Sequence, residues 1–134
     1  MGTAHMFAAP FAHQVLLLPY RICTIPEIAM IGQTEEQLTA ASIPYETGVA
    51  RYDELAKAEM LGDTSGMLKL LFHPETLKLL GIHAIGQRAT EIIHIGQAVL
   101  AFGGTVEYFR DAVFNYPTLA EAYKVAALNG INKL

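Results

Sequence analysis

Apolar and polar positions change their spacing along this chain. In its first half they come as short runs or near-alternation, which suits strands. Residues 22–25 are β-branched and end at Pro26, predicting a short strand that carries Cys23. Gly32-Gln33-Thr34-Glu35-Glu36-Gln37-Leu38 then opens a helix, with Thr34 as N-cap and Gln37 at the capping-box position; Pro44 closes it. Residues 45–52 alternate as a strand, 53–60 fit neither period, and Gly62 to Gly66 is a loop by composition. The apolar runs 67–72 and 78–85 flank His73-Pro74-Glu75-Thr76, a turn sequence, and predict a hairpin.

From Ala89 the spacing becomes helical. Ile92, Ile93, Ile95, Val99, Leu100 and Phe102 leave few polar positions, predicting a helix over 89–102 that is buried on most sides and ends at Gly103-Gly104. A short helix over 106–112, with Thr105 as its cap, comes next. Thr118-Leu119-Ala120-Glu121 is a second capping box, and the helix it opens runs to about Leu128. Strands followed by helices predict an α+β fold, an antiparallel sheet with helices packed on it.

With 134 residues the chain is one domain, and its composition is 52% hydrophobic and 16% charged. A domain of this size buries only about two-thirds of its unfolded surface, so part of the apolar excess is expected to meet another subunit or domain. The net charge of −4 argues against nucleic acid or an anionic membrane as partner. No apolar stretch reaches the roughly 18–20 residues that span a bilayer. A single cysteine forms no internal disulfide and implies no oxidising compartment. Residues 1–18 read as a cloning remnant and a loosely held lead segment, which favours a piece of a longer protein; the working domain is expected over 19–134.

Candidate chemistry is sparse. Glu91 and His94 have the Glu-x-x-His spacing of di-iron sites, but such sites need two copies, and one is present. A locally bonded helix histidine is the simpler reading, and a small metal- or ligand-binding protein is the rival. His73 and His83 lie at the hairpin without a second ligand at metal spacing, so no metal site is assigned. His5 and His13 sit in the lead segment. Cys23, in a predicted strand, reads as an inert thiol. No Gly-x-Ser-x-Gly elbow occurs, and Gly103-Gly104 follows a helix instead of opening one, so the chain holds no FAD or NAD unaided.

Three motifs in order carry a resemblance. They are Thr24-Ile25-Pro26-Glu27 leading to Gly32, then Leu80-Gly81-Ile82-His83-Ala84-Ile85-Gly86 followed by Ala89-Thr90-Glu91-Ile92-Ile93, and last Tyr116-Pro117-Thr118-Leu119-Ala120-Glu121. Together they resemble the C-terminal dimerisation domain of the FAD-dependent pyridine nucleotide-disulfide oxidoreductases. The resemblance implies a homodimer in which the His of a His-Pro-Thr-x-x-Glu motif serves as acid–base in the partner's active site, oriented by the Glu. Tyr116 stands at the His position and Glu121 at the Glu position. A phenol, with a reference pKa near 10, is a poor base at neutral pH, which puts dithiol chemistry in doubt.

The run from Phe114 through Tyr123 and the closing Val125 to Gly130 are similar to the soluble pyridine nucleotide transhydrogenase branch, which moves hydride from NADPH to NAD through FAD and needs no such base. That branch implies FAD in the full-length protein, NAD(H) and NADP(H) as substrates, and a cytoplasmic location. The isolated chain is expected to be inactive. The alternative is the same domain of a disulfide reductase such as dihydrolipoamide dehydrogenase. A structural role for the pair stays beside these readings: Glu121 as the capping-box partner of Thr118, and Tyr116 as an aromatic plug in the dimer contact. Helices 89–102 and 118–128 are the expected contact elements.

Overall fold

The computed structural model describes residues 17–22 and 24–134. The lead segment through residue 16, with His5 and His13, and Cys23 lie outside the described residues.

Five strands form one antiparallel sheet: β1 (Tyr20–Ile22), β2 (Ile28–Gly32), β3 (Glu46–Arg51), β4 (Met67–Phe72) and β5 (Leu79–Ile85), in the spatial order β1-β2-β5-β4-β3. The expected hairpin is β4–β5, with Leu70 opposite Ile82. The helices are α1 (Glu35–Ala40), α2 (Ala56–Leu61), α3 (Ala89–Ala101), α4 (Glu107–Asp111) and α5 (Ala122–Ile131). Helices α3 and α5 pack on one face of the sheet, against β2 with β5 and β3 with β4 respectively. Ala29, Ile31, Leu68, Leu70, Ile82 and Ala84 alternate inward beneath them and are buried. The other face carries Met30, His83, Lys69 and Val49 in one cross-strand row. Glu35 of α1 ion-pairs with Lys69 there, which places α1 on this second face.

Several boundaries differ from expectation. The strand expected over 22–25 is instead Tyr20–Ile22, and the chain then turns: the Thr24 hydroxyl donates to the Pro26 carbonyl at 2.7 Å, and β2 returns alongside β1. The Thr34 capping box forms as expected, but α1 ends at Ala40, four residues before Pro44. The unassigned 53–60 stretch holds a 3-10 turn (Tyr52–Glu54) and most of α2. Thr105 does not cap α4; its backbone pairs with Lys78 in an isolated bridge, and Val106 is the N-cap. Helix α5 follows a 3-10 turn (Leu119–Glu121) and runs three residues past Leu128.

Helix α3 is less buried than its composition suggests. Ala89, Ile92, Ile93 and Gly96 are buried, whereas Glu91, His94, Ala98 and Phe102 form an outward stripe, Phe102 being 92% exposed. Its C-terminus closes as the two glycines imply: Gly103, at φ 65°, donates to Leu100, and Gly104 donates to Val99. Its N-terminus is held from a distance. The Glu27 carboxylate accepts from both the backbone N–H of Thr90, at 3.1 Å, and its hydroxyl, at 2.6 Å. The middle of α3 is tied to α5 by the buried Tyr123, whose hydroxyl donates to the Ile92 carbonyl at 2.8 Å and accepts from the Gly96 N–H at 3.0 Å.

Two stability predictions result. Tyr123→Phe removes the shared partner of two buried backbone groups and is expected to cost about 1–3 kcal/mol in urea unfolding. Hydrogen bonds from the Thr90 hydroxyl and N–H lower the Glu27 pKa. Its stabilisation is therefore complete above the ordinary carboxylate range and is lost as pH falls through the depressed folded value. Glu27→Gln should accordingly lower the melting temperature at pH 7, and the gap from the parent should shrink as the pH approaches 3.

Candidate functional site

The segment between α4 and α5 carries the third motif. Its backbone is set by local bonds: the Thr118 N–H donates to Glu121 Oε2 at 3.3 Å, and the Thr118 hydroxyl donates to the Asn115 carbonyl at 2.7 Å. Below it, Leu119 and Ala122 are buried, which anchors the far side of the turn to the core. Tyr116 precedes this anchored turn through a cis peptide bond to Pro117 and is 75% exposed. No hydrogen bond joins the Tyr116 hydroxyl to Glu121 among the described residues, and the Glu121 carboxylate accepts from the turn that it caps. Tyr116 and Glu121 thus flank one turn, and their side chains form no hydrogen bond with each other.

Exposed apolar side chains also occur on α4 and just before this segment. Val113 is 95% exposed and Tyr108 54% exposed. Ala98, Val99, Phe102, Gly104 and Tyr108 line a shallow groove of about 330 Å³ between α3 and α4. The outward stripe of α3 leads into it. Helix α5, by contrast, buries Ala122, Tyr123, Ala126, Ala127 and Gly130 against its own sheet and α4, leaving Leu128 as its large exposed apolar residue. Of the two helices expected to make intersubunit contact, α3 has the free apolar surface.

The other candidates are engaged locally. His94 Nδ1 lies 2.7 Å from Gln97 Oε1, one turn along α3, and the exposed Glu91 makes no hydrogen bond with it. His73 Nδ1 accepts from the N–H groups of Glu75 and Thr76 in the β4–β5 turn. His83 Nε2 is 3.2 Å from the Gln33 carbonyl; burial, with Lys69 nearby, lowers its pKa. Among the described residues no three His, Cys, Asp or Glu side chains come together to hold a metal ion.

A second cleft, of about 590 Å³, is lined by residues of helix α2, the N-terminal part of α3 and residues 117–120. Lys57, Arg88 and Glu91 are its charged residues, and nothing in the sequence reading signalled it. Those three residues are spread over two elements, α2 and the head of α3, which the fold brings to one cleft.

The comparisons with known proteins agree with this architecture. The family model described as pyridine nucleotide-disulphide oxidoreductase, dimerisation domain, matches residues 18–127. The chain belongs to that family. It is similar, at 57% identity over its full length, to a soluble pyridine nucleotide transhydrogenase of Mycobacterium bovis, of which it spans 29%. A protein of the same name from Klebsiella pneumoniae is 56% identical over 126 residues, 92% of this chain and 27% of that one. The chain therefore spans less than a third of these relatives. Among solved structures, it resembles the flavoprotein disulfide reductase RclA of Escherichia coli (TM-score 0.78, 24% identity, 83% of this chain and 26% of that one). It also resembles LpdA of Mycobacterium tuberculosis (TM-score 0.78, 23% identity, 84% and 25%). At these identities the two structures establish the shared fold alone.

In this dimerisation domain, an exposed Tyr116 and a capping Glu121 predict separable effects. Tyr116→Phe should leave the stability of the chain within about 0.5 kcal/mol of the parent. Glu121→Ala should cost about 1 kcal/mol by releasing the cap. Thermal unfolding of the two variants side by side checks both.

Proposed function

We propose that this chain serves as the dimerisation domain of a FAD-dependent soluble pyridine nucleotide transhydrogenase, in which hydride passes from NADPH to NAD through the flavin of the full-length enzyme. The observation that carries this reading is the third motif, with Tyr116 where thiol-handling members have histidine, in a chain 57% identical to proteins of that name. A phenol, with a reference pKa near 10, is as a class ill suited to accept a proton at neutral pH. Hydride transfer asks for no such acceptor. The dihydrolipoamide dehydrogenase-like alternative requires that acceptor and is disfavoured for this reason.

In this reading the described residues make no flavin site by themselves. Gly103 and Gly104 terminate α3, so their backbone N–H groups bond to that helix and not to a phosphate. FAD, NAD(H) and NADP(H) belong in this reading to the rest of the parent protein, and the chain alone is inactive. Its contribution is a two-fold contact in which each interface residue acts twice. The α3 stripe with the Phe102–Tyr108 groove supplies the apolar surface for a second copy. In the intact homodimer Tyr116 and Glu121 lie near the partner's flavin, Tyr116 as a lining or plugging group and Glu121 as the support of its turn. A cytoplasmic location belongs to the same proposal. No described helix is long and apolar enough to cross a membrane.

Light scattering during gel filtration, across a dilution series, tests the assembly. The parent chain is expected to run as a dimer, and Phe102→Glu as a monomer with an unchanged circular dichroism spectrum. A monomeric parent at every concentration would remove the interface from this reading. In the full-length enzyme, Tyr116→His should leave NADPH-to-NAD hydride transfer within a few-fold of the parent, whereas a gain of dithiol reduction would favour the disulfide reductase alternative.

A further inference from the structure

Strand β3 is an outer edge of the sheet, and its free side is occupied by side chains. In an antiparallel ladder, alternate residues turn their backbone groups away from the neighbouring strand. On β3 these are Thr47, Val49 and Arg51. Their N–H groups donate to Glu46 Oε1 at 2.7 Å, Asn129 Oδ1 at 3.0 Å and Glu54 Oε2 at 2.8 Å respectively. The Thr47 carbonyl accepts from Lys133 Nζ at 2.7 Å. Glu46 and Glu54 are local and cover the ends of the strand. Asn129 and Lys133 reach its centre from α5 and the turn after it, 80 and 86 positions along the chain from the groups they bind.

Helix stability does not account for Asn129. It lies in the last turn of α5, where an asparagine is less favourable than alanine because its amide competes for backbone groups. Its neighbour Gly130 brings the helix against the strand: a Cβ there would lie 3.0 Å from Gly48 Cα. Lys133 also pairs with Glu46 at 3.5 Å, which holds its ammonium at the edge. The opposite edge, β1, is three residues long and follows Pro19, so it offers little to pair with. An uncovered β3 would differ. Thr47, Val49 and Arg51 of two copies can satisfy one another antiparallel about a two-fold axis, with Val49 at the centre. A chain with that contact and a two-fold contact on α3 would join pairs into larger assemblies. We propose that Asn129 and Lys133 close the β3 edge against β3 of a second copy and so limit this dimerisation domain to pairs. The limit to pairs rests on the α3 contact proposed above; the closed edge does not.

Light scattering during gel filtration of the purified chain tests it. The double variant Asn129→Ala, Lys133→Ala should give a mass above the dimer that rises with concentration. Combined with Phe102→Glu, which removes the α3 contact, the same two substitutions should stop at a dimer. Adding Val49→Pro deletes the central edge donor and leaves the β3–β4 ladder bonds in place, so it should return each variant to its starting mass. Asn129→Asp with Lys133→Arg keeps an acceptor and a donor and should run as the parent does. A folded double variant with the parent's mass, or larger species that persist with Val49→Pro, overturns the proposal. If Phe102→Glu leaves the parent's mass unchanged, the α3 contact fails, while a rise in mass on removing Asn129 and Lys133 still upholds the closed edge. Circular dichroism checks the fold of each variant. Should the double variant unfold, Lys133→Gln alone, which leaves α5 packed, is read by the same criteria.

Discussion

A single buried hydroxyl couples the two main helices of this domain. Tyr123 projects from the first turn of α5 and places its oxygen between the Ile92 carbonyl and the Gly96 N–H of α3. This requires the helices to approach closely, and residue 96 permits it: a Cβ there would lie 2.2 Å from Ile82 Cδ1 of the sheet and 2.8 Å from the Tyr123 oxygen. Removing the phenol from water raises its pKa, so it remains a neutral donor and acceptor. Phe109 of α4 stacks on the same ring, with centroids 4.5 Å apart. One tyrosine thereby fixes α3, α4 and α5 over the sheet, and with them the turn that ends at Glu121.

That coupling explains how a segment with little regular structure can present residues outward in a fixed place. The 116–121 turn is anchored at Leu119 and at Ala122, directly before Tyr123. Its capping bonds satisfy the backbone at the head of the 3-10 turn. Tyr116, outside the anchored part, is free to meet another surface. Glu27 performs a corresponding task at the N-terminus of α3, where a carboxylate from the β1–β2 turn caps a helix some sixty residues later. Residues of all three motifs, Glu27, Thr90 and the 116–121 turn, are therefore parts of one arrangement around α3.

Exposed apolar side chains occur in more than one place. Phe102, Tyr108, Val113 and Tyr116 belong to the end of α3, to α4 and to the segment that follows, while Tyr20 and Ile22 of β1, Ile25, and Met60 of α2 are exposed elsewhere. This exposed surface is the physical form of the compositional excess, and a domain built for association requires it.

Local patterns along the chain determined much of this. Alternation and turn chemistry located the β4–β5 hairpin, the Thr34 and Thr118–Glu121 spacings marked two helix starts, and Gly103-Gly104 marked a helix end, because each depends on residues within one or two turns. The family, too, was legible in motif order. What depended on distant partners was not. Ile28–Gly32 became a strand because β5 and the returning β1 pair with it. The outward stripe of α3 was hidden in an almost uniformly apolar run, since only packing on β2 and β5 selects which side is buried. Tyr123 lay within the run that carried the resemblance, and nothing beside it in the chain marked its bond to α3. Its role arises where separate helices meet, and that meeting is a property of the tertiary structure alone.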